Sequence, residues 1–598
     1  MNRRSGTGVD PVVLTEPQIV GLAVVAWVGA ELAVAVPVII GVALLSGSLL
    51  VRSRWALLAS VALLTSALAH RADDAYTVVE AEHYDGMATL VTDPESFPPV
   101  AASALVKLPD GRRLQLRANG EAAFDLELLH SGDRLAVQGS MRPLVDAPWL
   151  KTRHVVGLLG AKSVEFVEGP RWPRSVVERA RSAVVAGSAV GSWDWADQAL
   201  YLGLVVGDDR SQTMSQTARF KLAGLTHLLA VSGQNVAFVL GVARPLIGRF
   251  GYRGRWLVSA VVLFGFALAT RLEPSVVRAT STAGLATISG MAGHRQSGLR
   301  LLSIATVSLI MVDPFLVDSV GFQLSIFASG GILVFGPPLR NWLADRLVPS
   351  FLAEPLSVTL AAQLAVLPLL LAYFGPVSTV AIPANLAAGW AAGGVMTWGL
   401  TVGVLAGVVG GWAGAVLQQP AHLLLWWLDR TASWASTAPF PVMSGVILWV
   451  VLIMVIGGWL VRVQPLPLAI GIVLFVVIAG FPTLGSRPKV GDGWAIWPGT
   501  NGHPTLVVLR ADAREKALVE IVQNGGAGSD LAVSERGRGR PGEVAAALVD
   551  ILDIDEVLAP SDHQIVGGQR VTTTRTVDTG AVVVAIRPGP QGLIVGSD

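Results

Sequence analysis

Apolar residues fall into long runs over two parts of the chain and alternate with polar ones elsewhere, and these two textures divide it. Residues 18–70 hold about three apolar runs, interrupted at Pro37 and at Arg52/Arg54. Runs return between 196 and 482, near 222–243, 256–270, 275–292, 299–312, 319–336, 356–374, 378–394, 396–411, 444–461 and 465–482. They read as spans of a hydrocarbon core about 30 Å thick. AHLLLWWLDRTASWAS, 421–436, is aromatic-rich and is expected at the membrane interface, where tryptophan prefers to sit. Between the two helical parts, residues 71–170 alternate with period two in MATLVTD, SALVKL and RLQLRA, with turn signals PDG and SGD. A small β-barrel fits this stretch, and a sandwich of short strands is the alternative. Residues 483–598 are of soluble texture again.

Composition agrees with the runs. The chain of 598 residues is 52% hydrophobic and 15% charged, against about 25% charged in an ordinary soluble domain, which makes it a polytopic membrane protein. A net charge of +1 gives no bulk attraction for polyanions, so any such attraction must be local. The absence of cysteine excludes disulfides, thiolate metal sites and a cysteine nucleophile. MNRRSGTGVD lacks the apolar core and cleavage site of a signal peptide, so the first apolar run is read as a retained anchor. No GxxxxGK[ST] is present, so transport would draw on a partner motor or an ion gradient. Short cytoplasmic loops retain arginine. Arg3/Arg4, Arg52/Arg54, the group from Arg244 to Arg255, Arg295/Arg300, Arg340/Arg346 and Arg462 can all face inward if 413–428 does not cross. Residues 71–170 and 483–598 then lie outside the cytoplasmic membrane.

Several apolar runs carry polar side chains at their centre. In HLLAVSGQNVAFVL, 227–240, the cluster Ser232, Gly233, Gln234 and Asn235 is poor helix chemistry, with His227 one turn upstream. Unwound backbone at membrane depth survives only inside protein or along a wet cavity. A break here makes a new helix N-terminus whose free N–H groups attract anions; the alternative is that these residues join helices by hydrogen bonds. In EPSVVRA, Glu273 marks an outer mouth and Arg278 stands about one turn inside a span. An intramembrane arginine costs about 3 kcal/mol on insertion scales and is a functional candidate. VGFQLS and AAQLAVLP supply Gln323, Ser325 and Gln363, and FGPVSTVAIPANLAA adds two prolines and Asn385. Four interrupted segments in one bundle point to a polar path.

The order and wording of these segments resemble the competence domain of the ComEC-type DNA-uptake channel family. The pieces are GLTHLLAVSGQNV at 224–236, PSVVRA at 274–279, DP…VGFQLS at 313–325 and QLAVLPLLLAYFGPVS…PAN at 363–385. Residues 71–170, with GDRLAVQG, resemble that family's outer barrel of oligonucleotide-binding (OB) type. The resemblance implies a polytopic α-helical membrane protein with an extracytoplasmic small β-barrel (OB-type) domain and a short α/β C-terminal extracytoplasmic domain. Its parts are N-terminal helices 1–70, the OB-type domain 71–170, a basic juxtamembrane segment 171–195, the channel domain 196–482 and the C-terminal domain 483–598. It implies passage of single-stranded DNA across a bacterial cytoplasmic membrane. The expected partners are that strand, membrane lipid, a cytoplasmic motor ATPase and an extracytoplasmic DNA receptor, with self-association left open.

An OB-type barrel holds single strands through basic and aromatic side chains. Arg112, Arg113, Arg117, Arg134 and Arg142 are the candidate surface, with Lys107 and Lys151 nearby, and a solvated charged face is the alternative. RWPRSVVERARS, 171–182, with Arg171, Arg174, Arg179 and Arg181, either steers phosphates or lies on anionic lipid. Many family members carry a metallo-β-lactamase-like domain at the C-terminus, whose HxHxDHxGG motif holds a metal pair. Here VLAPSDHQIVGG, 557–568, sets Pro560, Asp562, Gln564 and Ile565 at the ligand positions, and His563 is out of register. The region is also short, so no cofactor, metal or catalytic residue is expected and the domain reads as a non-nucleolytic relic. The rival readings are a small-solute or lipid-precursor transporter, since broken helices serve small substrates equally well, and a membrane-anchored hydrolase.

Overall fold

The computed structural model describes residues 14–436, except 52, 77, 98–100, 144–147, 173, 191–192, 209, 230–232, 272–273, 292–295, 346–347, 375–376 and 379. Beyond Ser436 it describes Val442–Met443, Lys489–Gly491, Trp494–Trp497, Leu506–Leu509, Ile521, Leu531–Ser534, Glu556–Leu558, Val584–Gly589 and Gly592–Ser597. The chain forms two compact units. One gathers Met1–Glu95, Ala102–Glu178 and Ser232–Val348; the other gathers Ser96–Ala101, Arg179–Val231 and Pro349–Asp598. The division therefore runs through the 196–482 segment. Among the described residues, four helices are long and apolar enough to cross a membrane: Arg54–Ala75, Val320–Ala344, Ser350–Tyr373 and Ala381–Val409.

In the first unit the three N-terminal runs are the helices Glu16–Leu32, Val38–Val51 and Arg54–Ala75, broken where Pro37 and Arg52/Arg54 stand. The first and third cross closely, since a Cβ on Gly29 would lie 2.2 Å from the carbonyl oxygen of Ala62. Trp27 stacks on Phe322 with ring centroids 5.9 Å apart. The helices Gly233–Gly248, Tyr252–Ala269, Pro274–Met291, Gly298–Val312 and Val320–Ala344 complete the helical part.

The same unit carries the sheet that the period-two texture predicts. Its strands are β1 (Glu82–Leu90), β2 (Glu95–Phe97), β3 (Ala101–Lys107), β4 (Arg113–Asn119), β5 (Arg134–Arg142) and β6 (Val155–Glu168), in the order β1-β5-β6-β4-β3-β2. β4 and β6 are parallel, β5 is antiparallel to both β1 and β6, and β1 also pairs with β3 through Thr89↔Lys107 and Leu90↔Val106. The helix Glu121–Glu127 joins β4 to β5. Alternation sorts the faces: Leu114, Leu116 and Ala118 of β4 are buried with Leu135, Val137 and Met141 of β5, while Arg117 and Arg142 are exposed.

Five contacts fix this sheet on the helices of its unit. The Tyr76 hydroxyl donates to the Val155 carbonyl, and Lys151 Nζ stands 2.6 Å from Asp73 Oδ1 and 5.0 Å from the centre of the Phe315 ring. His154 Nε2 lies 2.9 Å from Asp313 Oδ2, and Arg271 forms an ion pair with Asp93.

In the second unit one expectation changes. The runs 378–394 and 396–411 are one continuous helix, Ala381–Val409, which passes through a π-type turn at Gly399–Gly403. The 421–436 segment is the second half of a single helix, Gly411–Ser436. Its tryptophans 426, 427 and 434 are exposed, while Gln418, Ala421, Leu425, Leu428 and Ala432 are buried against Ala384, Ala388, Ala391 and Val395. Sequence hydropathy divides the first helix because glycines thin its apolar density, and misses the second because Asp429, Arg430 and His422 dilute its apolar stripe. The helices Arg174–Ala189 and Trp195–Val206, with Met214–Leu222, fill the rest of the core. A Cβ on Gly187 would lie 2.2 Å from the Gly403 carbonyl oxygen, so this crossing admits only glycine. The spans expected at 444–461 and 465–482 lie outside the described residues.

At the C-terminus, Lys489–Gly491, Trp494–Trp497, Leu506–Leu509, Leu531–Ser534 and Glu556–Leu558 form a five-stranded mixed sheet, the last three strands parallel.

Candidate functional site

The break expected in HLLAVSGQNV falls on 230–232, outside the described residues; the short helical turn Thr226–Leu229 lies on one side of it and the helix Gly233–Gly248 on the other. Ser232 lies outside the described residues. Gly233 opens the new helix against Arg278: a Cβ there would fall 2.5 Å from Arg278 Nη2 and 3.1 Å from the Ala279 Cβ. Only hydrogen at this position lets the guanidinium sit beside the helix start. Asn235 is buried, and Gln234 is exposed.

Arg278 is the fifth residue of Pro274–Met291 and only 6% exposed. Its Nε donates to Ser325 Oγ at 2.7 Å, which fixes the plane of the guanidinium. Among the described residues no carboxylate pairs with Arg278. The structure thus brings together Gly233, Arg278 and Ser325 from three helices that are far apart in sequence. A planar cation beside a helix N-terminus, both anion-attracting, is an arrangement that accommodates a phosphate or carboxylate. Gln323, two residues before Ser325, instead donates from Nε2 to the Val317 carbonyl at 2.7 Å and closes the turn that precedes its own helix.

The remaining path candidates belong to the second unit. Asn385 donates from Nδ2 to the Ala381 carbonyl at 2.7 Å and to that of Gly224 at 3.4 Å, tying the Gly224 turn to the start of the helix Ala381–Val409. His227 is exposed, and Gln363 is half-buried on Ser350–Tyr373.

Arg181, expected on phosphate or lipid, is buried instead. Its Nη2 lies 2.7 Å from Asp208 Oδ2, and Arg210 Nε and Nη2 reach the same carboxylate at 2.8 and 2.7 Å. Burial alone would raise the Asp208 carboxyl, but the Arg210 and Arg181 guanidiniums hold it well below the usual carboxylate range. Sequence reading missed this triad because Arg181 and Asp208 are 27 positions apart; the signal present was GDDR directly after a buried apolar helix. It also missed Tyr201 and Gln418, which meet at 3.3 Å in the interior, with Gln418 Nε2 donating to the Gly187 carbonyl at 3.2 Å.

On the sheet, three of the five candidate arginines are engaged locally. Arg112 pairs with Asp110, Arg113 donates to the Arg153 carbonyl, and Arg134 pairs with Glu168. Hydrogen bonds from Arg171 and Arg134 hold the Glu168 carboxyl below its usual range. Arg117 and Arg142 remain exposed on the outer faces of β4 and β5, the strands flanking β6. No cluster of three metal-binding side chains occurs among the described residues; Asp562 and His563 lie outside them.

With this geometry in hand, comparison with known proteins is informative. Residues 204–467 match the family model described as Competence protein. ComE operon protein 3 of Bacillus subtilis is 25% identical over 185 residues, 31% of this chain and 23% of that protein. An uncharacterized protein of Escherichia coli, YcaI, is 27% identical over 207 residues, 32% of this chain and 26% of that protein. The matched segment thus spans about a quarter of the length of each of these curated relatives. No solved structure matches.

Proposed function

Since residues 204–467 carry a Competence-family domain, we propose that this chain is a channel that passes single-stranded DNA into the cytoplasm during natural transformation. The observation that carries the proposal is the meeting of Arg278, Ser325 and Gly233. A phosphodiester strand presents one charge per nucleotide. The guanidinium and the first amides of Gly233–Gly248 neutralise one such charge at a time, and Ser325 keeps the guanidinium oriented as each phosphate leaves. The absence of a paired carboxylate among the described residues leaves that charge for a passing anion. A wider cationic ring would bind the strand too tightly to release it.

We read the N-terminal sheet as a barrel of OB type on the extracytoplasmic side. Support comes from the β1–β3 pairing, which links one end of the strand order to the next-to-last strand at the other, from the parallel β4–β6 pair, and from the helix between β4 and β5. Arg117 and Arg142 are its cationic contacts for the incoming strand. A cytoplasmic motor ATPase and an extracytoplasmic DNA receptor are the partners this reading requires, and the bacterial inner membrane is its location. The C-terminal region is not a nuclease in this reading: the strand Glu556–Leu558 leads directly into 559–568, where three of the four ligand positions are Pro560, Gln564 and Ile565.

Uptake of labelled DNA by a strain deleted for this chain tests the proposal. Uptake is expected to vanish and to return with the full chain supplied in trans; undiminished transformation in the deletion strain overturns it. The full chain purified in detergent is expected to hold no stoichiometric zinc or manganese, and a metal-to-protein ratio near one or two in elemental analysis overturns the non-nucleolytic reading.

A further inference from the structure

Two residues in the left-handed backbone region stand at the seam between the sheet and the helices of the first unit. His154 has φ 58° and Arg271 has φ 59°, a conformation that side-chain-bearing residues rarely adopt and that persists where the surroundings over-determine it. Each meets a carboxylate across the seam, in opposite directions. Arg271, on the helical side, reaches Asp93, which follows β1; His154, just before β6, reaches Asp313 at 2.9 Å.

What these pairs hold is specific. Thr270 closes Tyr252–Ala269 by donating from its hydroxyl to the Phe266 and Ala267 carbonyls, so Arg271 begins the turn into Pro274–Met291, the helix that carries Arg278. Asp93 is itself buried and held, with Oδ1 accepting the Ser131 backbone N–H at 2.9 Å. Asp313 caps the turn Pro314–Asp318 through the Phe315 N–H, and that turn leads into Val320–Ala344, the helix that carries Ser325. His154 also lies against the Phe315 ring, 5.2 Å between centroids. The two helices whose side chains meet at Arg278 and Ser325 are therefore each pinned to the sheet near their N-terminal ends. A helix transmits a shift at its start along its axis, and Arg278 stands only about 6 Å, four residues at 1.5 Å each, beyond Pro274.

We infer that Asp93–Arg271 and His154–Asp313 are positioning pairs through which the sheet domain sets the alignment of Arg278 with Ser325, and that the strand is handed on only while both are made. This rests on the reading of Arg278 as part of the strand's path. Detached from these pairs, the sheet would still bind DNA and the helices would still fold, but the guanidinium would no longer face the strand.

Photo-crosslinking in living cells separates these outcomes. A photoreactive residue replaces Gln115, on the outer face of β4, or Thr282, one turn beyond Arg278 on the same helix face. In the unaltered protein both sites are expected to capture incoming labelled DNA. Arg271→Ala, Asp93→Asn and His154→Ala are each expected to cut capture at Thr282 by at least tenfold while leaving capture at Gln115 and protein abundance in place. Arg271→Lys, which keeps the charge, should retain most of the Thr282 signal. Unchanged capture at Thr282 in Arg271→Ala and Asp93→Asn overturns the inference. So does a parallel loss of both signals with abundance, because the pairs would then only hold the fold. Capture at neither site in the unaltered protein would instead sink the channel reading, and this inference with it.

Discussion

Arg278→Ala is expected to abolish transformation while leaving the amount and fold of the protein unchanged. Both halves follow from its surroundings. The side chain is 6% exposed, and its one hydrogen bond to a described residue is to Ser325, a neutral group. Removing it orphans no buried carboxylate among the described residues. On the proposed reading it also relieves the cost of a cation at membrane depth, about 3 kcal/mol on insertion scales. Loss of function with retained abundance is thus the signature of a working charge, whereas a residue held for structure gives the two losses together. Arg278→Lys should fall between, because an ammonium keeps the charge but not the planar fork that Ser325 orients. Transformation frequency measured beside membrane abundance decides it; normal transformation in a stably produced Arg278→Ala chain removes this residue from the path.

Asp208→Ala is expected to have the opposite profile, a large loss of stability. Arg181 is 5% exposed, and Asp208 is its carboxylate partner in a pair of which only 9% of the acid's side chain is exposed. Truncating the acid removes the carboxylate that the buried Arg181 guanidinium shares with Arg210, and breaking such a buried pair costs about 3–5 kcal/mol. Arg181→Ala should cost less, because Arg210 still pairs with Asp208 through two bonds. The acid's folded value is depressed, so its contribution is present above its unfolded value of about 3.9 and is lost as pH falls below that. The deficit of Asp208→Ala should accordingly be constant from neutral pH down to about pH 5 and shrink in stronger acid. Thermal unfolding of the detergent-purified chain across that range measures it, and a melting temperature equal to that of the unaltered chain at neutral pH would show the triad to be idle.

These two residues also mark what the sequence carries and what it withholds. Arg278 was legible because a cation inside an apolar run is anomalous on its own terms, needing no knowledge of its neighbours. The period-two texture of 113–119 and 134–142 marked those strands, because one buried face imposes alternation on each strand separately. Asp208, Arg271 and His154 were not legible. Each looks like an ordinary loop charge, and each acquires its role from a partner between 27 and 178 positions away. Arg181 was misassigned because its neighbours Arg174 and Arg179 are exposed, and a basic stretch cannot declare which member turns inward. The extent of Ala381–Val409 was missed because hydropathy averages over a window and has no term for how one helix leads into another.

That helix has a further consequence in its π-type turn at Gly399–Gly403. One residue added to a helical turn rotates everything after it by about 100° relative to everything before. Ala384, Ala388, Ala391 and Val395 face Gly411–Ser436 ahead of the turn, and Gly403 and Gly407 face Gly187 and Ala183 within and after it. The helix thus has a phase as well as a length. A chain one residue shorter between 399 and 403 would have the same apolar content and would still be long enough to cross a membrane, yet its second half would turn its glycines away from the helix they were meant to meet. At this point in the molecule the number of residues is itself a structural specification, as binding as their identity.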